Sequence, residues 1–356
     1  MEKRTPVTPD WTIGIDLGDR RNAMCVLDAG GEVVERCWVS TTSKGIMRFF
    51  ERRDPCRVVL EVGTHSPWVS RLIASRGHEV VVANPRAVTS IARRSNKTDF
   101  ADAEQLARLG RVDPKLLAPI QHRGEQAQRD RALLAVRAQL VGARTQLIVQ
   151  ARGLTKAQGQ RLPRSTTSGF ARKLRTQGLV DLFPGLETLV AIVDELSTRI
   201  AAMDRQIETL CHERYPETKL LRQIQGVGPI TALAYVLTIE DPHRFAKSRT
   251  VGSYVGLRPK KRQSGERDPQ LGITKEGDRY LRTLLVQAAH YILGPFASDS
   301  DLRRFGERLV ARGGKAAKRR AIVAVARKLA VLLHRLWVTG EVYEPLRNAE
   351  TNVEAA

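Results

Sequence analysis

Four carboxylates define the chemistry open to this chain: Asp16, Glu61, Asp99 and Asp102. Asp16 follows the apolar run Thr12–Ile15 in WTIGIDLGDRRNAMCVLD, and Glu61 follows Arg57–Leu60 in RVVLEVGTHSPW. A charge at the buried end of a strand is costly unless a cation or hydrogen bonds offset it. Asp99 and Asp102 lie in NKTDFADAEQLARLG, where Thr98 or Asp99 can cap a helix. Their spacing of three puts both acids on one face of its first turn. Two strand-end acids and a helical pair could surround a pair of divalent ions. Hard oxygen ligands suit Mg²⁺ or Mn²⁺. Paired metals of this kind cleave and transfer phosphodiesters by clamping the attacking and leaving oxygens. Taken singly, each acid has an ordinary reading, since the chain carries 38 of them and Asp99 alone reads as a helix cap. The combination is far more specific than any member.

A second group is cationic. The segment RPKKRQSGERDPQLGITKEGDRYLR gathers Arg258, Lys260, Lys261, Arg262, Arg267, Lys275, Arg279 and Arg282 around Ser264-Gly265. Such cations would assist attack of a serine on a phosphate, and Gly265 would allow close backbone approach. No His or Asp pair adjoins Ser264, so residue types alone favour phosphate binding over catalysis. Upstream, the Gly226-Val227-Gly228-Pro229 turn resembles a helix-hairpin-helix. Its backbone N–H groups at a helix N-terminus would offer a phosphate contact, although any tight interhelical turn uses the same residues.

These residues need elements to hold them. Residues 11–110 alternate strands with helices: Thr12–Ile15, Ala23–Leu27 and Val33–Val39 as a meander, then Arg57–Val62 and Glu79–Ala83 as strands separated by helices. The expected fold is α/β plus all-α: an RNase H/RuvC-like mixed sheet over residues 1–118, ending in the Asp99–Gly110 helix. Residues 119–217 carry two long amphipathic helices, Gln126–Gln158 and Leu186–Cys211, expected as an antiparallel coiled-coil linker broken by Gly159–Gly169. Residues 218–345 form a mainly helical third domain carrying Ser264, with Leu302–Leu336 as its final basic helical region. Residues 346–356 are expected to be a disordered tail.

Composition narrows the partners. Lys and Arg number 59 against 38 Asp and Glu, a net charge of +21 spread along the whole chain. That balance points to a polyanion, above all nucleic acid, whose counterions are released on binding. The cysteines Cys25, Cys37, Cys56 and Cys211 form no CxxC pair, which fits a reduced compartment without a zinc site or disulfide framework. The opening MEKRTPVTPD is polar and no apolar run reaches membrane-spanning length. A cytoplasmic, nucleoid-associated protein is expected.

With these residues in view, the chain resembles the DEDD-type insertion-sequence transposases, the one-hundred-and-ten family of insertion sequences, relatives of the Piv-type DNA invertases. The resemblance rests on GIDLG, LEVGTHSPW, VVANP and KTDFADAEQLARL in the first part. In the last part it rests on IQGVGPITALAYVLTIEDPHRF, SYVGLRP, Gln263-Ser264-Gly265 and GITKEGDRYLRTLLVQAA. It implies a RuvC-like domain, a coiled-coil linker and a C-terminal transposase domain. It implies that Asp16, Glu61, Asp99 and Asp102 bind Mg²⁺ and that Ser264 attacks DNA to form a phosphoserine link, reversing the reading from residue types. The family includes recombinases guided by a structured RNA, so donor DNA, target DNA and a guide RNA are the implied partners. Serine and acids fall in different domains, so a homo-oligomer, dimer or tetramer, is expected. One departure is local: Glu266 and Asp268 follow Ser264 among the basic residues. The rival reading is a RuvC-like structure-specific endonuclease in which metal-activated water attacks and Ser264 is idle. A non-enzymatic nucleic-acid scaffold is a more distant one.

Overall fold

Short apolar runs bounded by polar turns make the first part of the chain a sheet. A computed structural model describes residues 10–91, 98–263, 269 and 271–348. Its strands are β1 (Thr12–Asp16), β2 (Arg21–Leu27), β3 (Val33–Ser40), β4 (Arg57–Glu61) and β5 (Glu79–Ala83). They stand in the order β3-β2-β1-β4-β5. The β3-β2-β1 pairs are antiparallel and the β1-β4-β5 pairs parallel. β1 and β4 read as unbroken apolar runs because both faces of the sheet are covered. Helices α1 (Ser43–Phe50) and α2 (Ser66–Ala74) pack Ile46, Phe49, Val69 and Ile73 on one face, against Ile13, Ile15, Val58 and Leu60. After α3 (Pro85–Ile91), helix α4 (Asp99–Val112) covers the other face with Ala103, Leu106 and Ala107.

The seat of α4 is set by two glycines. A Cβ on Gly14 would overlap the Ala103 carbonyl oxygen and stand 2.7 Å from the Ala107 nitrogen. A Cβ on Gly110 would overlap Cγ2 of Val59. The helix therefore lies on the backbone of β1 with no side chain between them.

Residues 124 onward form a second compact unit, distinct from the first, which ends at Arg123. Helices α5 (Glu125–Ala157) and α7 (Leu186–Glu213) run antiparallel, with Arg137 paired to Asp204 and Arg144 hydrogen-bonded to Ser197. Among the described residues α5 is long and apolar enough, by length and composition, to cross a membrane, which corrects the expectation of no such run. Its apolar stretch carries Arg137 and Arg144, both partnered on α7. The loop at the far end of this hairpin is more ordered than the sequence suggested. It contains α6 (Phe170–Thr176), which packs Phe170 and Leu174 with Ile148, Leu186 and Val190 into a small core of its own.

The remaining helices are α8 (Thr218–Leu221), α9 (Pro229–Ile239), α10 (Val251–Tyr254), α11 (Arg279–Ile292), α12 (Asp301–Ala311) and α13 (Ala317–Thr339). α9 is apolar around its whole circumference because it is the centre of this core. Its Tyr235 hydroxyl donates to the Ala330 carbonyl of α13 at 2.7 Å. The expected single helical region over Leu302–Leu336 is two helices, broken at Gly313 and Gly314, whose φ values are 73° and 92°.

Candidate active site

Register and alternation decide where the carboxylates go. Ile15 stands opposite Leu60 in the parallel β1–β4 pair, so the next row holds Asp16 beside Glu61. That row continues through Ala23 to Trp38 on one side and to Ala83 on the other. Side chains two apart share a face. Gly14 and Val59 face α4, so Asp16 and Glu61 leave the sheet on the α4 side, both half-buried.

α4 runs antiparallel to β1. At its C-terminal end Arg108 and Arg111 donate to the carbonyls of Gly31 and Ala29, in the β2–β3 turn and away from Asp16. At its N-terminal end Phe100 packs on Trp38 with ring centroids 4.7 Å apart, and the Arg21 guanidinium lies 4.0 Å from the Trp38 ring centroid. Trp38 belongs to the row of Asp16. The first turn of α4, with Asp99 and Asp102, is thereby brought to the same end and face of the sheet as Asp16 and Glu61. Thr98 is the cap, accepting from the Ala101 N–H at 3.2 Å, so the Asp99 carboxylate is not the capping group. Asp99, Asp102 and Leu106 share one stripe of the helix, and the positive helix end favours both acids. Glu104, by contrast, is engaged by Arg108 at 2.8 Å and Arg36 at 2.7 Å. These guanidiniums hold its carboxyl below the usual carboxylate range.

Four carboxylates from three elements are a hard-oxygen donor set of the kind that Mg²⁺ or Mn²⁺ takes. Among the described residues, however, no three His, Cys, Asp or Glu side chains gather closely enough to hold a metal ion. The fit to a metal is one of donor chemistry and backbone placement, and ligation calls for the side chains to turn inward from these positions.

Sequence reasoning passed over the histidines of this region. Trp68 Nε1 donates to His65 Nδ1 at 3.1 Å, which leaves the His65 proton on Nε2, 3.4 Å from Asp19 Oδ1 in the β1–β2 turn. His122 Nε2 lies 2.9 Å from the Ser66 hydroxyl. The signal for His65 was its position four residues after Glu61. Burial, with Arg71 and Arg123 adding to it, lowers the pKa of His122. Burial alone lowers that of His78, whose Nδ1 accepts the Cys56 N–H. Protonation of both histidines is disfavoured in the fold, so the stability this contributes is full above the ordinary value of 6.5 and is lost as pH falls below it. We expect Tm to fall between pH 7 and pH 5, and His122→Gln to flatten that slope in a thermal melt.

In the second unit, Lys260 N donates to Gly272 O and Thr274 N to Arg258 O, each at 2.9 Å, on either side of a Pro259–Ile273 bridge. This short ladder closes the base of the segment that carries Ser264. Ser264 and Arg267 themselves lie outside the described residues. Arg258, Lys260, Lys261, Arg262, Lys275 and Arg279 are exposed. Arg282 is engaged instead with the carbonyls of Val255 at 3.1 Å and Glu276 at 2.8 Å, bracing the ladder from α11. The two glycines of the α9 turn also differ. Gly226 has φ 88° and packs on Ala288 O and Tyr291, a structural demand, while Gly228 is exposed with open space around it at the N-cap of α9.

Residues 13–157 match a DEDD-type IS110 transposase model, and residues 218–305 match the model described as Transposase IS116/IS110/IS902 family. The chain is similar to the transposase for insertion sequence element IS1111A of Coxiella burnetii, 27% identical over 93% of this chain and 90% of the relative. It is similar to a probable family 20 transposase of Pseudomonas aeruginosa, 29% identical over 82% and 86%. It is similar also to the pilin gene-inverting protein of Moraxella bovis, 23% identical over 89% and 92%.

Proposed function

The chain belongs to the DEDD-type insertion-sequence transposases of the IS116/IS110/IS902 family, enzymes that cut and rejoin DNA, and on that premise we propose how its residues divide the work. The observation that carries the proposal is the convergence of Asp16, Glu61 and the first turn of α4 on one corner of the sheet. In an RNase H/RuvC-like domain, a reading the β3-β2-β1-β4-β5 order supports, these acids would hold Mg²⁺ or Mn²⁺. When bound, the metal would supply charge neutralisation at the scissile phosphate.

The Ser264 hydroxyl attacks the phosphorus. The new bond is serine Oγ to phosphorus, and the bond that breaks is phosphorus to the 3′-oxygen. The serine proton departs as the 3′-oxygen takes one up, leaving a free 3′-hydroxyl and a phosphoserine–DNA link that conserves the bond energy for rejoining. Arg258, Lys260, Lys261, Arg262, Arg267, Lys275 and Arg279 neutralise the backbone on either side. Gly228, at the N-cap of α9, offers N–H groups to a further phosphate. Acids and serine belong to separate units, which supports a homo-oligomeric site. A charge of +21 supports binding of a structured guide RNA beside donor and target DNA in a cytoplasmic, nucleoid-associated enzyme.

The test is a denaturing gel after incubation with labelled element-end DNA, the element's non-coding RNA and Mg²⁺. A slow covalent band is expected from the parent and none from Ser264→Ala. Cleaved DNA without a band, unchanged by Ser264→Ala, would mean that water attacks and the protein is a RuvC-like endonuclease.

A further inference from the structure

A cleft of the second unit has no part in the acidic corner, whose residues belong to the first unit. It encloses about 1440 Å³ and is bounded by α12, α13, the Ser264 ladder and the segment 341–348. That exceeds the roughly 300–1,000 Å³ of a small-molecule site and suits an extended ligand. Its lining carries nine Arg or Lys and three carboxylates. Two of the carboxylates are already committed: Glu341 pairs with Arg335 at 3.2 Å and Arg347 at 2.9 Å, and Asp301 accepts from Asn348 at 2.7 Å. Along α13, Arg319, Val323, Arg327, Val331 and Arg335 follow one another at one-turn intervals on a single ridge. Arg319 and Arg327 form no ion pair among the described residues, and the Arg327 stem is propped on Gly252, 2.9 Å from where a Cβ would stand. Between the cations the walls are apolar, with Leu257, Ile273, Phe305 and Leu332.

Cations alternating with apolar side chains fit a ligand that alternates in the same way. A duplex presents phosphates and hides its base faces, so the apolar walls would gain nothing from it. A single strand offers both phosphates and unstacked bases. We propose that this cleft holds a single-stranded DNA segment. The same ladder that carries Ser264 forms one wall, through Leu257, Pro259, Gly272 and Ile273. The ladder stands at the base of the segment that carries Ser264, so a strand held in the cleft would be kept from diffusing away between cutting and rejoining. That role rests on the reading of Ser264 as the cutting residue. The binding itself does not.

The test uses the full chain in EDTA, where no cutting occurs, with a short fluorescent oligothymidylate, a duplex and an oligouridylate of the same length as anisotropy probes. Arg319→Ala with Arg327→Ala is expected to weaken oligothymidylate binding about tenfold and to reduce the salt slope by about 1.4, the loss of two single-strand phosphate contacts. Duplex affinity should change less than about threefold, and Arg319→Lys with Arg327→Lys should bind as the parent does. The lysine pair separates lost contacts from lost folding. Ser264→Ala should leave all three probes unaffected, so failure of the covalent-adduct experiment is read separately from failure here. Equal weakening on duplex and single strand, tighter binding of oligouridylate than oligothymidylate, or no weakening at all would each overturn the proposal.

Discussion

Asp16→Asn is expected to slow DNA strand cleavage by at least about 100-fold while the protein keeps its fold. A residue that merely supports a metal ligand costs roughly 10- to 100-fold when removed, and a ligand itself costs no less. The substitution is isosteric at the half-buried end of β1, so the fold should be kept. Glu61→Gln and Asp102→Asn should behave alike. A double variant should be little worse than either single one, because groups that act on one centre are not additive. Glu104→Gln is the matched control. It sits on the same helix, but Arg36 and Arg108 already engage it, and activity should change by less than about threefold. Initial cleavage rates and circular-dichroism melts of the parent, the three single site variants, a double variant and Glu104→Gln check this.

Gly14→Ala should be nearly as damaging, for a different reason. Its Cβ would overlap a backbone carbonyl of α4, Ala103 O, which cannot swing aside as a side chain could. The helix must lift off β1, costing about 3 kcal/mol or more and lowering the melting of the first unit by roughly 10 °C or more. Lifting α4 also carries Asp99 and Asp102 away from Asp16 and Glu61, so cleavage should fall with stability. Gly63→Ala, where a Cβ meets nothing within 4 Å, should leave both intact. If Gly14→Ala melts and cuts like the parent, α4 is not seated as described.

Much of this architecture is written locally. Arg57–Glu61 and Glu79–Ala83 announce themselves as strands because burial on both faces leaves unbroken apolar runs, and a cap at Thr98 or Asp99 is legible in their side chains, Thr98 being the one that takes the role. The four acids stand out by type and spacing. What the sequence could not say is that Asp16 and Glu61 are lateral neighbours, since parallel pairing joins residues far apart in the chain. Nor could it orient α4, which depends on a glycine of β1 under Ala103 and on Phe100 meeting Trp38 two strands away in the sheet order. Arg282 looked like one more phosphate contact until the fold showed its guanidinium facing two carbonyls. Phe170 and Leu174, an i,i+4 pair beyond a Gly/Pro/Ser stretch, were the overlooked sign of α6. For Ser264 the residue types argued against catalysis, and family likeness alone argued for it.

We propose that acids from β1, β4 and α4 form one metal site. Manganese binding, followed by the loss of the free Mn²⁺ electron paramagnetic resonance signal on titration of the full chain without DNA, tests it most directly. The parent should bind Mn²⁺. Asp16→Asn, Glu61→Gln and Asp102→Asn should each weaken binding by about tenfold or more, and Glu104→Gln should not. Equal Mn²⁺ binding by the parent and all three site variants would contradict the claim.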